Sequence, residues 1–187
     1  IEKYTIADVH SHPPTDSSNV PNVSSPSAPD IVSLVHGYNT KYDSTVKRYD
    51  SNGVYTHTDT FRIIPHKHLT SFVVANGNDY AISIDDTAKA NNFAAKPNNA
   101  LDSLIKIDGN LNSWKGTDDD DKTLRGQFYS IREQLKRDKY SEANAEYYAQ
   151  IIMAQNLGMG IAAYKKVDGK FRKLRFEESA DGKHYKL

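Results

Sequence analysis

The chain has no cysteine among its 187 residues. That excludes a thiol nucleophile, any disulfide and every zinc site built on thiolate. It suits a reducing compartment, and equally a chain that crosses a membrane unfolded. Net charge is absent too, with 24 basic residues against 24 acidic ones. Without a basic field, nothing in the composition draws the chain to nucleic acid. No apolar run reaches the roughly 20 residues of a membrane-spanning helix, so no membrane partner is expected. Acid is concentrated only in Asp118–Asp121, a run closed by Lys122. It lacks the alternation and the glycine of a calcium loop and reads as a solvated turn. The length is that of one domain, or of one domain with an appendage.

What the chain does have is histidine at strand spacing. Asp8-Val9-His10-Ser11-His12 runs into Pro13, and fourteen residues separate His12 from Ser27-Ala28-Pro29-Asp30. Side chains alternate along a strand. Residues two apart therefore share a face, with Cα atoms about 6–7 Å apart, close enough for both rings to reach one ion. Pro13 ends the strand because it cannot donate to a ladder. A third ligand is available in Asp30, in the first turn of a helix that Ser27 caps. Two imidazoles and a carboxylate leave a fourth position open, which is the make-up of a catalytic rather than a structural zinc site. Ser27-x-x-Asp30 also reads as nothing more than a capping-box-like helix start. His-x-His by itself occurs on solvated strands, so both readings stand on sequence alone.

These residues resemble the JAMM motif (also called JAB or MPN) of zinc metallopeptidases, His-x-His-Pro followed by Ser-x-x-Asp. The resemblance covers about the first 85 residues. It implies an α/β (α+β) fold: a small mixed sheet flanked by helices, of the JAMM and cytidine-deaminase kind, here extended by a helical pair and a β-hairpin. It implies a zinc-dependent hydrolase acting on the peptide or isopeptide bonds of a protein or peptide substrate. His10, His12 and Asp30 would hold Zn2+, and Ser27 would be the catalytic side chain that supports the tetrahedral intermediate. It also implies a glutamate general base on an earlier strand. Only nine residues precede His10, and Glu2, about 26 Å away along an extended strand, does not reach. The spacing from His12 to Ser27 exceeds the family's, through an insertion over Thr15–Ser24. It reads as an enlarged loop, and such an insertion costs little closure entropy. The expectation is a C-terminal piece of a longer exported protein, toxin-like by analogy and incomplete as an enzyme without an upstream glutamate. A JAMM-like scaffold lacking that residue would instead serve as a non-catalytic binding module.

Asp8-x-His10-x-His12 has a further resemblance, to the opening of polymerase-and-histidinol-phosphatase-type phosphoesterases and of amidohydrolases. Those enzymes are (β/α)8 barrels of typically about 250 residues, and the later segments here look few and antiparallel. Other histidines offer less. His66 and His68 repeat the spacing beside Pro65, with no acid following, and read as a loop. His36, six residues after Asp30, falls on roughly the opposite helix face. His57-Thr58-Asp59 is an outlying pair. Of the six glutamates, Glu133, Glu142 and Glu146 fall on C-terminal helices, and Glu177 and Glu178 end the last strand.

Periodicity supplies the remaining elements. Strands are expected over Lys3–His10, Thr70–Ala75 and Asp79–Ile84, with a turn at Asn76-Gly77-Asn78. A helix over Ala28–Val35 buries Ile31, Val32, Leu34 and Val35 and ends at Gly37. Residues 38–60 read as turns and polar segments around Asp50-Ser51-Asn52-Gly53. Short helices are expected over Ala88–Phe93 and Ala100–Ile107. Leu124, Phe128, Ile131 and Leu135 mark a long helix from Thr123. Ser141 caps a second one, striped by Ala145, Tyr148, Ala149 and Ile152 and stopped by Gly158. Met159–Lys166 and Lys170–Glu177 flank Asp168-Gly169 as a hairpin. The whole forms a single domain, a core of about residues 1–85 with a C-terminal extension of about 123–178.

Overall fold

Segments rich in β-branched and aromatic residues supply the strands, and capped amphipathic segments supply the helices. A computed structural model of the chain describes residues 7–12, 26–38, 42–63, 70–75, 78–97, 103–108, 111–179 and 185–186. Its first elements are β1 (Ala7–His12), α1 (Ala28–Tyr38), β2 (Tyr42–Tyr49), β3 (Tyr55–Ile63), β4 (Thr70–Ala75), β5 (Asn78–Ile84) and α2 (Thr87–Ala94). Then come β6 (Ile105–Asp108), β7 (Leu111–Trp114), α3 (Leu124–Arg137), α4 (Glu142–Asn156), β8 (Ile161–Val167) and β9 (Lys170–Lys173). Two short strands close the chain, β10 (Glu177–Glu178) and β11 (Tyr185–Lys186). No helix among the described residues is long and apolar enough to cross a membrane.

The central sheet has the order β1-β4-β5-β8-β9. Strands β4, β5, β8 and β9 are antiparallel neighbours, and β1 joins the edge of β4 in parallel. The fold is therefore mixed α+β. The C-terminal hairpin belongs to this sheet, since β8 pairs with β5. One face carries Ser71, Val73 and Ala75, then Tyr80, Ile82 and Ile84, then Ile161 and Ala163, all buried. Val73, Ala75 and their apolar row-mates share one cluster with the inner residues of α1, α2, α3 and α4. The other face is partly open. There Phe72 and Phe171 meet edge to face with centroids 5.5 Å apart, and Val74 and Phe171 are exposed.

Helix α1 buries the four residues its spacing predicts, and it runs past Gly37 to Tyr38. Helices α3 and α4 start where Thr123 and Ser141 accept backbone N–H groups of the first turn. Gly160 has a φ of +67° and abuts α2, whose Asp86 carbonyl would lie 2.3 Å from an added Cβ. Two expectations fail. The polar stretch after residue 38 holds a β-hairpin, β2–β3, around the predicted Asp50–Gly53 turn. The expected helix over Ala100–Ile107 is replaced, at Ile105–Asp108, by a strand paired with Leu111–Trp114. Alternating Ile105 and Ile107 suit a ladder better than a helix face, and that pairing is decided by the partner strand.

Candidate metal centre

The backbone of β1 sets the register of the two histidine positions. Residues 8, 10 and 12 pair with Ser71, Val73 and Ala75, while Val9 and Ser11 pair with Phe72 and Val74. The first set belongs to the buried row of β4 and the second to the open one, where Val9 and Ser11 are exposed. Positions 10 and 12 thus share the sheet face that the helices cover. Because β1 and β4 are parallel, their carboxyl ends lie at the same side of the sheet. In open sheets with parallel strands, ligand sites favour that side.

The acid of the motif sits at the start of α1. Ser27 is buried and caps the helix. Asp30 Oδ2 accepts from Ser27 N at 2.7 Å and from Ser27 Oγ at 2.7 Å. Ser27 Oγ accepts in turn from Asp30 N at 3.4 Å. This is a reciprocal capping box, which fixes the carboxylate rotamer. The inner residues of α1, Ile31, Val32, Leu34 and Val35, share a cluster with Val73 and Ala75. Helix α1 and strand β4 therefore contribute to the same core layer. Imidazole and carboxylate are both donor types that zinc takes. Breaking the box should cost stability with no metal present. Ser27→Ala and Asp30→Ala should each lower the urea unfolding free energy of metal-free protein by about 1 kcal/mol, read from the shift in midpoint at constant slope.

The loop Thr15–Ser24, Pro13, Glu2 and the pair His66 and His68 lie outside the described residues, as do the side chains of Asp8, His10 and His12. Among described residues no group of three or more His, Asp or Glu is placed to hold a metal. His36 is half-buried on α1. His57 lies on β3, its Nε2 3.3 Å from Asp59 Oδ1. Asp59 also takes Arg48 Nε at 2.7 Å, and that hydrogen bond is the main cause of its carboxyl lying below the usual range. The acidic run behaves as a solvated turn. Asp118 bonds Arg125, and Asp120 Oδ1 accepts from Lys122 N.

Three polar contacts beside this layer carry no linear signature. Trp114 Nε1 donates to Gln150 Oε1 at 2.6 Å, buried between β7 and α4. Lys165 Nζ donates to Asn144 Oδ1 at 2.7 Å. Tyr147 lies with its ring centroid 4.2 Å from that of Tyr80, and its hydroxyl donates to the carbonyls of Ala81 and Tyr164. Burial holds the Tyr147 phenol well above its ordinary pKa. Comparison with protein-family models, with curated proteins and with solved structures finds no match to this chain.

Proposed function

We propose that the chain is a JAMM-like, zinc-dependent hydrolase domain for peptide or isopeptide bonds, with His10, His12 and Asp30 as ligands. Two observations support it. Positions 10 and 12 fall in the covered row of an edge strand, and the next helix opens on a Ser27–Asp30 pair locked by two 2.7 Å hydrogen bonds. Zinc in such a site polarises the scissile carbonyl and brings the pKa of water toward 7. Asp30 contributes a carboxylate already oriented by its cap. Ser27 Oγ, which donates to Asp30 in this structure, is the donor for the oxyanion of the tetrahedral intermediate.

A non-catalytic binding module is the second reading, and one observation favours it: the capping box already gives Ser27 and Asp30 a complete structural role. The phosphoesterase reading has less support, because the described sheet is open and largely antiparallel. The discriminating experiment offers the purified chain a panel of peptide and isopeptide-linked substrates. Turnover that is abolished by a chelator and restored by zinc is expected. Full zinc occupancy with no turnover would favour the binding module.

A further inference from the structure

The central sheet ends at β9, and that end is basic. Lys165, Lys166, Lys170, Arg172, Lys173 and Arg175 stand there against the single acid Asp168, in a chain without net charge. We propose that the free edge of β9 docks an extended, acidic segment of a partner protein, which joins the sheet as a further strand.

The ladder shows which backbone groups are available. Asp168 and Gly169, at φ +52° and +75°, form the two-residue turn between β8 and β9, and the pair Val167 and Lys170 flanks it. In a hairpin of this kind the flanking pair is hydrogen-bonded, and bonded pairs then recur at every second residue. Leu174 N donates to Ala163 O at 2.8 Å, in the same phase. Lys170, Arg172 and Leu174 therefore turn their N–H and C=O groups toward β8. Those of Phe171 and Lys173 point to the edge, where no strand pairs with them among the described residues. All four residues of β9 are exposed.

The side chains set the chemistry of the partner. Lys170 and Arg172 lie on one face of β9, Phe171 and Lys173 on the other. Two of the cations are answered from within the sheet, Lys166 by Asp79 at 2.6 Å and Lys173 by Asp85 at 2.8 Å. Arg172 reaches only Asp168, at 3.7 Å, with both side chains largely exposed. Lys170 and Arg175 have no ion pair among the described residues. Between Lys170 and Arg172, the ring of Phe171 touches Phe72 and is still exposed. On an added strand, residues directly opposite share a face. Opposite charges and apolar pairs stabilise such a ladder, and like charges oppose it. Acids opposite Lys170 and Arg172, with an apolar residue between them opposite Phe171, meet all three demands. The recognised pattern is acid, apolar, acid.

Cations on an edge strand also repel other edges. Here they exclude β9 of a second copy and admit an acidic strand, and repulsion alone has no use for the exposed phenyl ring. Nucleic acid and anionic lipid share the negative charge but lack the alternating donors and acceptors of a peptide backbone. The edge lies across the sheet from β1, so the proposal stands whether or not positions 10 and 12 bind metal.

The test titrates the full chain with a capped hexapeptide of alternating glutamate and valine, followed by amide NMR and hydrogen exchange. The amides of Phe171 and Lys173 should shift and gain protection, while those of Lys170 and Arg172, already bonded to β8, change little. Methylating every second backbone nitrogen of the peptide gives two forms of equal charge. The form methylated on the side that faces β9 should lose binding and the other should keep it. The double variant Lys170→Glu with Arg172→Glu should keep the melting temperature of the parent, because both side chains are exposed. It should bind the glutamate peptide roughly tenfold more weakly and gain binding to a lysine–valine peptide. No binding of the glutamate peptide, equal binding of the two methylated forms, or equal affinity for parent and double variant overturns the proposal. So does binding of oligothymidylate or phosphatidylserine vesicles without binding of the peptide.

Discussion

His12→Ala is expected to strip the chain of zinc, from one equivalent in the parent to none after dialysis. The loss should exceed by far the roughly 10–100-fold in affinity that changes behind a ligand cost, because one of the three proposed ligands disappears. His10→Ala should behave alike, and Asp30→Ala should combine zinc loss with its capping defect. Ser27→Ala should show the capping defect, keep its zinc and lose turnover. Imidazoles bind metal in the neutral form, so acid should release the zinc and binding should release protons. Elemental analysis with competition titration reads the result. Position 12 ends an edge strand, so the metal-free variant should unfold within about 0.5 kcal/mol of the parent. Equal zinc in parent and His12→Ala would remove the histidine pair from the site.

Trp114→Ala is expected to be the most damaging core substitution, at about 3–5 kcal/mol. The indole is 1% exposed and belongs to the cluster shared by all four described helices. Its removal opens a cavity between β7 and α4 and orphans the Gln150 carbonyl, which now accepts at 2.6 Å. For a chain of this length each kcal/mol moves the melting temperature by roughly 2–4 °C, so a fall of roughly 10 °C should be seen by calorimetry. Gln150→Leu leaves the indole N–H buried without an acceptor and should cost about 1–3 kcal/mol. A melting temperature within a degree or two of the parent for Trp114→Ala would contradict this packing.

Local chemistry was legible in the sequence and long-range partnership was not. The caps at Ser27 and Ser141 lie within a few residues of the groups they satisfy, so spacing alone found them. The inner face of α1 and the stripe of α3 follow the helical period. The stripe on α4 was too narrow. Tyr147, Ile151 and Met153 are buried as well, because sheet, α3 and β7 surround the helix, and no one-sided period records that. The hairpin β2–β3 escaped for the opposite reason. Its described residues are nearly all exposed on both faces, so it has no alternation of apolar and polar, and only its enrichment in Thr, Val and Tyr marked it. At the candidate site, residues 10 and 12 could be put on one face from sequence, and Asp30 in a first turn. Which face the helices cover depends on the pairing of β1 with β4, more than 60 residues away. The hydrogen bond that joins β7 to α4, from Trp114 to Gln150, spans 36 residues, which linear spacing does not record.

X-ray absorption at the zinc edge of the full chain tests the central claim most directly. The account predicts two imidazole nitrogens at about 2.0–2.1 Å and carboxylate oxygen at about 2.0–2.2 Å, with one further light ligand. A zinc shell without imidazole scattering, or a chain that holds no zinc at neutral pH, would contradict it.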